Sequence, residues 1–150
     1  MKSVALLDVN VLVALFSDRH VHHELAHDWL ADHADQGWAS CPITESGLLR
    51  ILGNAARIGQ HVPVPRLVEL LSTFCENSRH QFWPDALSLR DGRTFNAEAV
   101  RGHQQITDVY LLGLAVKRGG RFITFDQNVP LDAVKGATRK SLEVISQADA

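Results

Sequence analysis

The chain has 150 residues, 45% of them hydrophobic and 21% charged, proportions that exclude a disordered chain and suit an ordinary globular domain. No stretch approaches the roughly 18 apolar residues of a membrane-spanning helix. With a formal net charge of −2, any nucleic-acid partner must be held by a local arrangement of Lys and Arg or by metal ions.

This length suits one domain spanning residues 1–150. The apolar run Val4-Ala5-Leu6-Leu7 is short and meets Asp8 at once, so it reads as part of the fold rather than a secretory leader, and a cytoplasmic location is expected. Cys41 and Cys75 lie in apolar contexts with no metal-finger or disulfide spacing and are expected to be buried thiols.

Ser3 to Leu7 reads as a strand covered on both faces, and Asn10 to Phe16 as a helix. From Val21 to about Asp35, apolar residues recur at helical spacing until Gly37. Trp38 to Cys41 suggests a second strand. Pro42 opens a helix with Glu45, Leu48 and Leu52 on one face. Pro63 and Pro65 precede another helix carrying Leu67, Leu70, Leu71 and Phe74, and His80 to Trp83 reads as a strand ended by Pro84. Residues 91–104 show no clear pattern. Thr107 is placed to cap a helix from Asp108 to Lys117, ended by Gly119-Gly120. Arg121 to Phe125 is a strand stopping at Asp126, and Ser141 to Ile145 fits an edge strand. Strands alternating with helices predict a three-layer α/β/α domain with a mainly parallel central sheet.

Two of these strands end in an acid, Asp8 and Asp126, and open parallel sheets bind ligands beyond the carboxyl ends of their strands. Two helices carry an acid in the first turn, Glu45 and Asp108, each on its helix's apolar stripe. All four are therefore expected to meet at one sheet edge. Taken singly, each has a plainer reading: helix-start acids complement the macrodipole and strand-end aspartates make turns. Together they require a counter-charge, since two carboxylates about 4 Å apart repel by roughly 4 kcal/mol at an effective dielectric of 20. Oxygen ligands of this kind suit Mg²⁺ or Mn²⁺, and such an ion implies phosphoryl-transfer chemistry. Asn10 is placed to position water or phosphate, and Thr107 to orient Asp108. Arg93, Arg101 and Arg121 are candidate phosphate contacts. A noncatalytic scaffold that uses the acidic pocket to dock a basic partner segment is the alternative from another class.

His23-Glu24-Leu25-Ala26-His27 matches the zinc-peptidase pattern of two ligands flanking a general base. The helical stripe centres on Ala26, Trp29 and Leu30, which turns Glu24 and His27 away from the packed side, and no third ligand is evident. Five of the eight histidines fall between His20 and His33; no catalytic role is assigned to them. Trp38 and Trp83 are expected in the core.

Leu6-Leu7-Asp8-Val9-Asn10, Thr44-Glu45, Ile106-Thr107-Asp108 with the helix that follows, and Ile123-Thr124-Phe125-Asp126 resemble, in order, the motifs of PIN domains, specifically of VapC-type toxin ribonucleases. Phe82-Trp83-Pro84-Asp85 and Gly102-His103-Gln104-Gln105 are similar to the same subgroup. The resemblance implies a Mg²⁺-dependent endoribonuclease acting on an RNA such as tRNA or rRNA. It also implies a homodimer and a VapB-type antitoxin whose tail occupies the acidic cleft. Positions matching Asp8 and Asp108 are the usual metal ligands of that family, with Glu45 and Asp126 completing the cluster.

Overall fold

The protein is described from a computed structural model covering residues 3–147. In chain order its elements are β1 (Ala5–Leu7), α1 (Val9–Phe16), α2 (His23–His33), β2 (Trp38–Ser40), α3 (Pro42–Leu52), α4 (Ala55–Ile58), α5 (Val64–Glu76), β3 (His80–Phe82), α6 (Ile106–Lys117), β4 (Arg121–Thr124) and β5 (Leu142–Val144), with short 3-10 turns between some of them. The strands form one sheet in the order β3-β2-β1-β4-β5. All four pairings are parallel, with Leu6 opposite Ala39 on one side and Phe122 on the other. Strand order reverses at β1 and β4, so the crevice for a ligand opens between their carboxyl ends.

The two-residue alternation of the strands sorts side chains into two cores. Ala5, Leu7, Trp38 and Ile123 pack with residues of α1, α2, α3 and α5. Leu6, Ala39 and Phe122 pack on the opposite face with α6 and with Trp83, Phe95, Val129 and Val134. Leu6, Leu7, Phe122 and Ile123 are wholly buried, each contributing about 1.5–3 kcal/mol relative to exposure. Two glycines permit the close approaches that set the layers. A Cβ on Gly47 of α3 would meet Val9 of α1 at 2.7 Å, and one on Gly113 of α6 would meet the Phe95 ring at 2.5 Å.

Most expected elements stand where the sequence placed them, and Gly37 stops the second helical segment with φ of +82°. Trp38 and Trp83 are core residues, as expected. Four details differ. The α3 helix ends at Leu52, and a separate single turn, α4, follows, with Asn54 as N-cap accepting from the Arg57 N–H and Gly59 as left-handed C-cap. Thr107 does not cap α6: the helix already begins at Ile106, led in by a 3-10 turn over His103–Gln105, so Gln105 takes the N-cap position. Residues 91–104 are pinned from a distance, by a bridge between Phe95 and Val134 and by Phe95 against Gly113. Cys41 is buried and Cys75 only half-buried, both as free thiols.

Among the described residues no helix is long and apolar enough to cross a membrane.

Candidate active site

Asp8 follows β1 directly and is the N-cap of α1: its Oδ1 accepts from the Val9 N–H at 2.7 Å. Its Oδ2 accepts from the Thr124 hydroxyl at 2.6 Å, across the switch point. Thr124 is the last residue of β4 and wholly buried. Its oxygen also accepts from the Asp126 N–H at 3.0 Å and from Asn10 Nδ2 at 3.4 Å. One hydroxyl therefore ties together Asp8, Asn10 and the start of the loop carrying Asp126. Asp126 Oδ1 in turn accepts from the Asn128 N–H at 2.8 Å, an Asx-turn that fixes the carboxylate. Asp108, in the first turn of α6, completes the group by hydrogen bonding to both Asp8 and Asp126.

Burial and mutual repulsion set the protonation of this cluster. Burial pushes the Asp8 carboxyl up from the usual range, against the hydrogen bonds from Thr124 and Val9 that lower it. Asp108 is pushed up to about 8, first by burial and then by the charges and hydrogen bonding of Asp8 and Asp126. At neutral pH the Asp8–Asp108 pair therefore retains a proton, held between the two carboxyls.

Three of the four expected acids thus come together. Glu45 takes other partners. Its Oε2 accepts from the Ser40 hydroxyl at 2.6 Å, and the same hydroxyl lies 2.8 Å from His80 Nε2. It is not among the groups that most perturb Asp8 or Asp108. Among the described residues no group of three or more His, Cys, Asp or Glu side chains stands arranged to hold a metal ion. The donor set nevertheless fits a hard cation. It is all oxygen, and the bridging proton occupies the role a positive ion would take. Asn10 Oδ1 is buried with no hydrogen-bond partner, on a residue that lines the same cavity as Asp8.

Thr107 makes no side-chain hydrogen bond to Asp108 and instead lines a trough between α1 and α3. Arg121 is not a phosphate contact. It is buried at the opposite end of β4, bonded to the Ser3 carbonyl, Gln36 and Glu143, with its guanidinium over Trp29. Arg93 is held by Asp91 on an exposed turn. His27 does not turn away from the packed side. His23 Nδ1 lies 2.7 Å from the Ala14 carbonyl and His27 Nε2 lies 2.8 Å from the Leu15 carbonyl. Each ring donates to a carbonyl that the last turn of α1 leaves without a helical partner. The four-residue spacing that suggested zinc ligands is thus used to cap a helix.

Thr124 is the site residue that the sequence reading passed over; the available signal was a hydroxyl at the buried end of an apolar strand, two residues before an acid. Thr124→Val keeps the shape but removes the donor to Asp8 and the acceptor for the Asp126 N–H. It is expected to cost about 1–3 kcal/mol in denaturant unfolding and to move the Asp8 carboxyl further up in an NMR titration. An unshifted Asp8 resonance would break the assignment.

Residues 5–136 match the PIN domain. Ribonuclease VapC44 of Mycobacterium tuberculosis is 40% identical over 94% of this chain and 99% of its own length. Ribonuclease VapC39 is 40% identical over 81% of this chain and 88% of its own, and Ribonuclease VapC29 is 43% identical over 83% and 86%, both from the same organism. A crystal structure from Pyrobaculum aerophilum aligns with a TM-score of 0.46 at 19% identity, over 90% of this chain and 82% of that one. The chain belongs to the PIN-domain family, in its VapC group.

Proposed function

We propose that the protein is a Mg²⁺-dependent endoribonuclease, the toxin of a VapBC-type pair. The observation that carries this reading is the meeting of the buried Asp8 with the half-buried Asp108 and Asp126 at the sheet's switch point. The names of the relatives, all ribonucleases, support it. Asp8 and Asp108 would hold the ion, with Asp126 acting directly or through water and Glu45 from its seat on Ser40. Bound there, a divalent cation supplies Lewis acidity toward a phosphodiester and lowers the pKa of an attacking water.

The chain's own residues supply the remainder. Thr124 and the Val9 N–H fix both oxygens of Asp8, so its position does not depend on what binds. Asn10 offers its unpartnered Oδ1 to a water or to the ion. Asp126, held by its Asx-turn, would orient a water beside Asp108. A VapB-type antitoxin covering this crevice, a homodimer and a cytoplasmic location complete the proposal.

The test uses the purified chain without partner, a structured RNA such as tRNA, and Mg²⁺. Cleavage is expected to vanish with EDTA and to return on adding excess Mg²⁺ or Mn²⁺, as read on a denaturing gel. No cleavage under any of these conditions would leave the acidic crevice as a docking site on a noncatalytic scaffold.

A further inference from the structure

An all-acidic centre repels a polyanion, so a nuclease of net charge −2 needs cations placed beside its carboxylates. Two troughs flank the crevice. One, of about 450 Å³, is lined by Asp8, Asn10, Arg19, His20 and Arg57. The other, of about 660 Å³, is lined by Ser46, Arg50 and Thr107, the neighbour of Asp108. Both are bordered by Val9 and Ile51, so they adjoin along the line where Gly47 lets α3 close on α1.

The arginines on these walls carry charge that the protein itself does not neutralise. Of the other arginines, Arg66, Arg93 and Arg121 pair with Glu69, Asp91 and Glu143, while Arg79, Arg90, Arg101, Arg118 and Arg139 have no acidic partner among the described residues but line neither trough. Arg19 and Arg57 are exposed and, among the described residues, have no acidic partner. Arg50 bonds only to Ser46 Oγ of its own helix, at 3.4 Å. The separate turn α4, missed from sequence, is what brings Arg57 to this wall. Its C-cap Gly59 has no side chain to obstruct Arg19, whose Nη1 would lie 2.8 Å from a Cβ there. His20, whose pKa is lowered by burial and by His22 and His23, adds a polar ring to the same wall.

We propose that the paired troughs between α1 and α3 are the track of the RNA backbone. Arg19 and Arg57 hold phosphates on one side of the bond to be cut, and Arg50 holds one on the other. This rests on the ribonuclease reading and identifies how that site grips its substrate. The guanidiniums act on backbone charge, so they set affinity and register while the aspartates set the rate.

The test compares Arg19→Gln/Arg57→Gln and Arg50→Gln with an Arg66→Gln control on the remote helix α5. Cleavage of one RNA is measured for KM and kcat. Binding of a fluorescent oligouridylate is measured across a salt series in an Asp108→Asn background. The double variant is expected to raise KM at least ~10-fold with kcat nearly unchanged, and each lost arginine to flatten the salt slope by about 0.7. Arg66→Gln should match the parent in both. Unchanged KM and slope in the trough variants would overturn the proposal, as would retained RNA cleavage with lost inhibition by the antitoxin, which would give the troughs to a protein partner. If the parent chain neither cuts nor binds RNA, the ribonuclease reading itself falls.

Discussion

Asp108→Asn should abolish RNA cleavage, by more than ~10²-fold, and at the same time make the metal-free protein harder to melt at pH 8 and above. The two effects have one origin. In the parent chain Asp108 sits half-buried between Asp8 and Asp126, and its carboxyl is pushed up to about 8. Above that pH three negative groups crowd one crevice, each close pair opposed by up to roughly 4 kcal/mol at 4 Å and an effective dielectric of 20. An amide of the same shape removes one charge and can still donate a hydrogen bond to Asp8. A gain of about 1 kcal/mol would raise the melting temperature by roughly 2–5 °C in a chain of this size. Thermal melts in EDTA at pH 8.5, beside gel assays in Mg²⁺, read both effects. Cleavage at the parent rate, or a variant that melts lower than its parent, would contradict the site as described.

Without metal, the stability of the parent chain is expected to fall as pH rises from about 4 to 8. Asp108 binds its proton up to about pH 8 when folded but releases it near pH 4 when unfolded. Between those values the folded state carries more protons than the unfolded one, so raising the pH favours unfolding. The raised Asp8 carboxyl acts in the same direction. Mg²⁺ or Mn²⁺ should oppose the trend, because an ion competes with the bridging proton and binds more tightly as that proton leaves. Below pH 8 the apparent affinity should improve up to ~10-fold per pH unit for one proton released. Melts at pH 5, 6.5 and 8 with and without metal, and calorimetry in buffers of different ionisation enthalpy, measure this directly. A metal-free stability that is flat or rising across that window would show that the proton is not shared as described.

The parts legible in the sequence were those written as local pattern. The strands β1 and β4 could be read because each is a short apolar run cut off by an acid, and the same feature disclosed Asp8 and Asp126. Asp108 showed itself by sharing a helical stripe with Leu111 and Leu112. What stayed hidden depends on neighbours far along the chain. Four residues are too few for α4 to show a period, and Arg57 gains its meaning only beside Arg19. The segment around Phe95 has no repeat because its order comes from Gly113 and Val134. Glu45 has the right place on α3, but its partner Ser40 could not be foreseen from helical spacing. Arg121 looks like any basic residue at a strand start until Glu143, Gln36 and Trp29 are seen around it.

The pairing of β1 with β4 reaches beyond catalysis. Asp8 and the hydroxyl that holds it are 116 positions apart, and β4 lies inside the sheet, between the central β1 and the edge strand β5. During synthesis Asp8 leaves the ribosome long before its anchor Thr124, and before Asp108 and Asp126. Every shorter nascent chain lacks the assembled centre. A ribonuclease built in this order is harmless to the message and the ribosome that are making it until β4 has emerged and paired with β1.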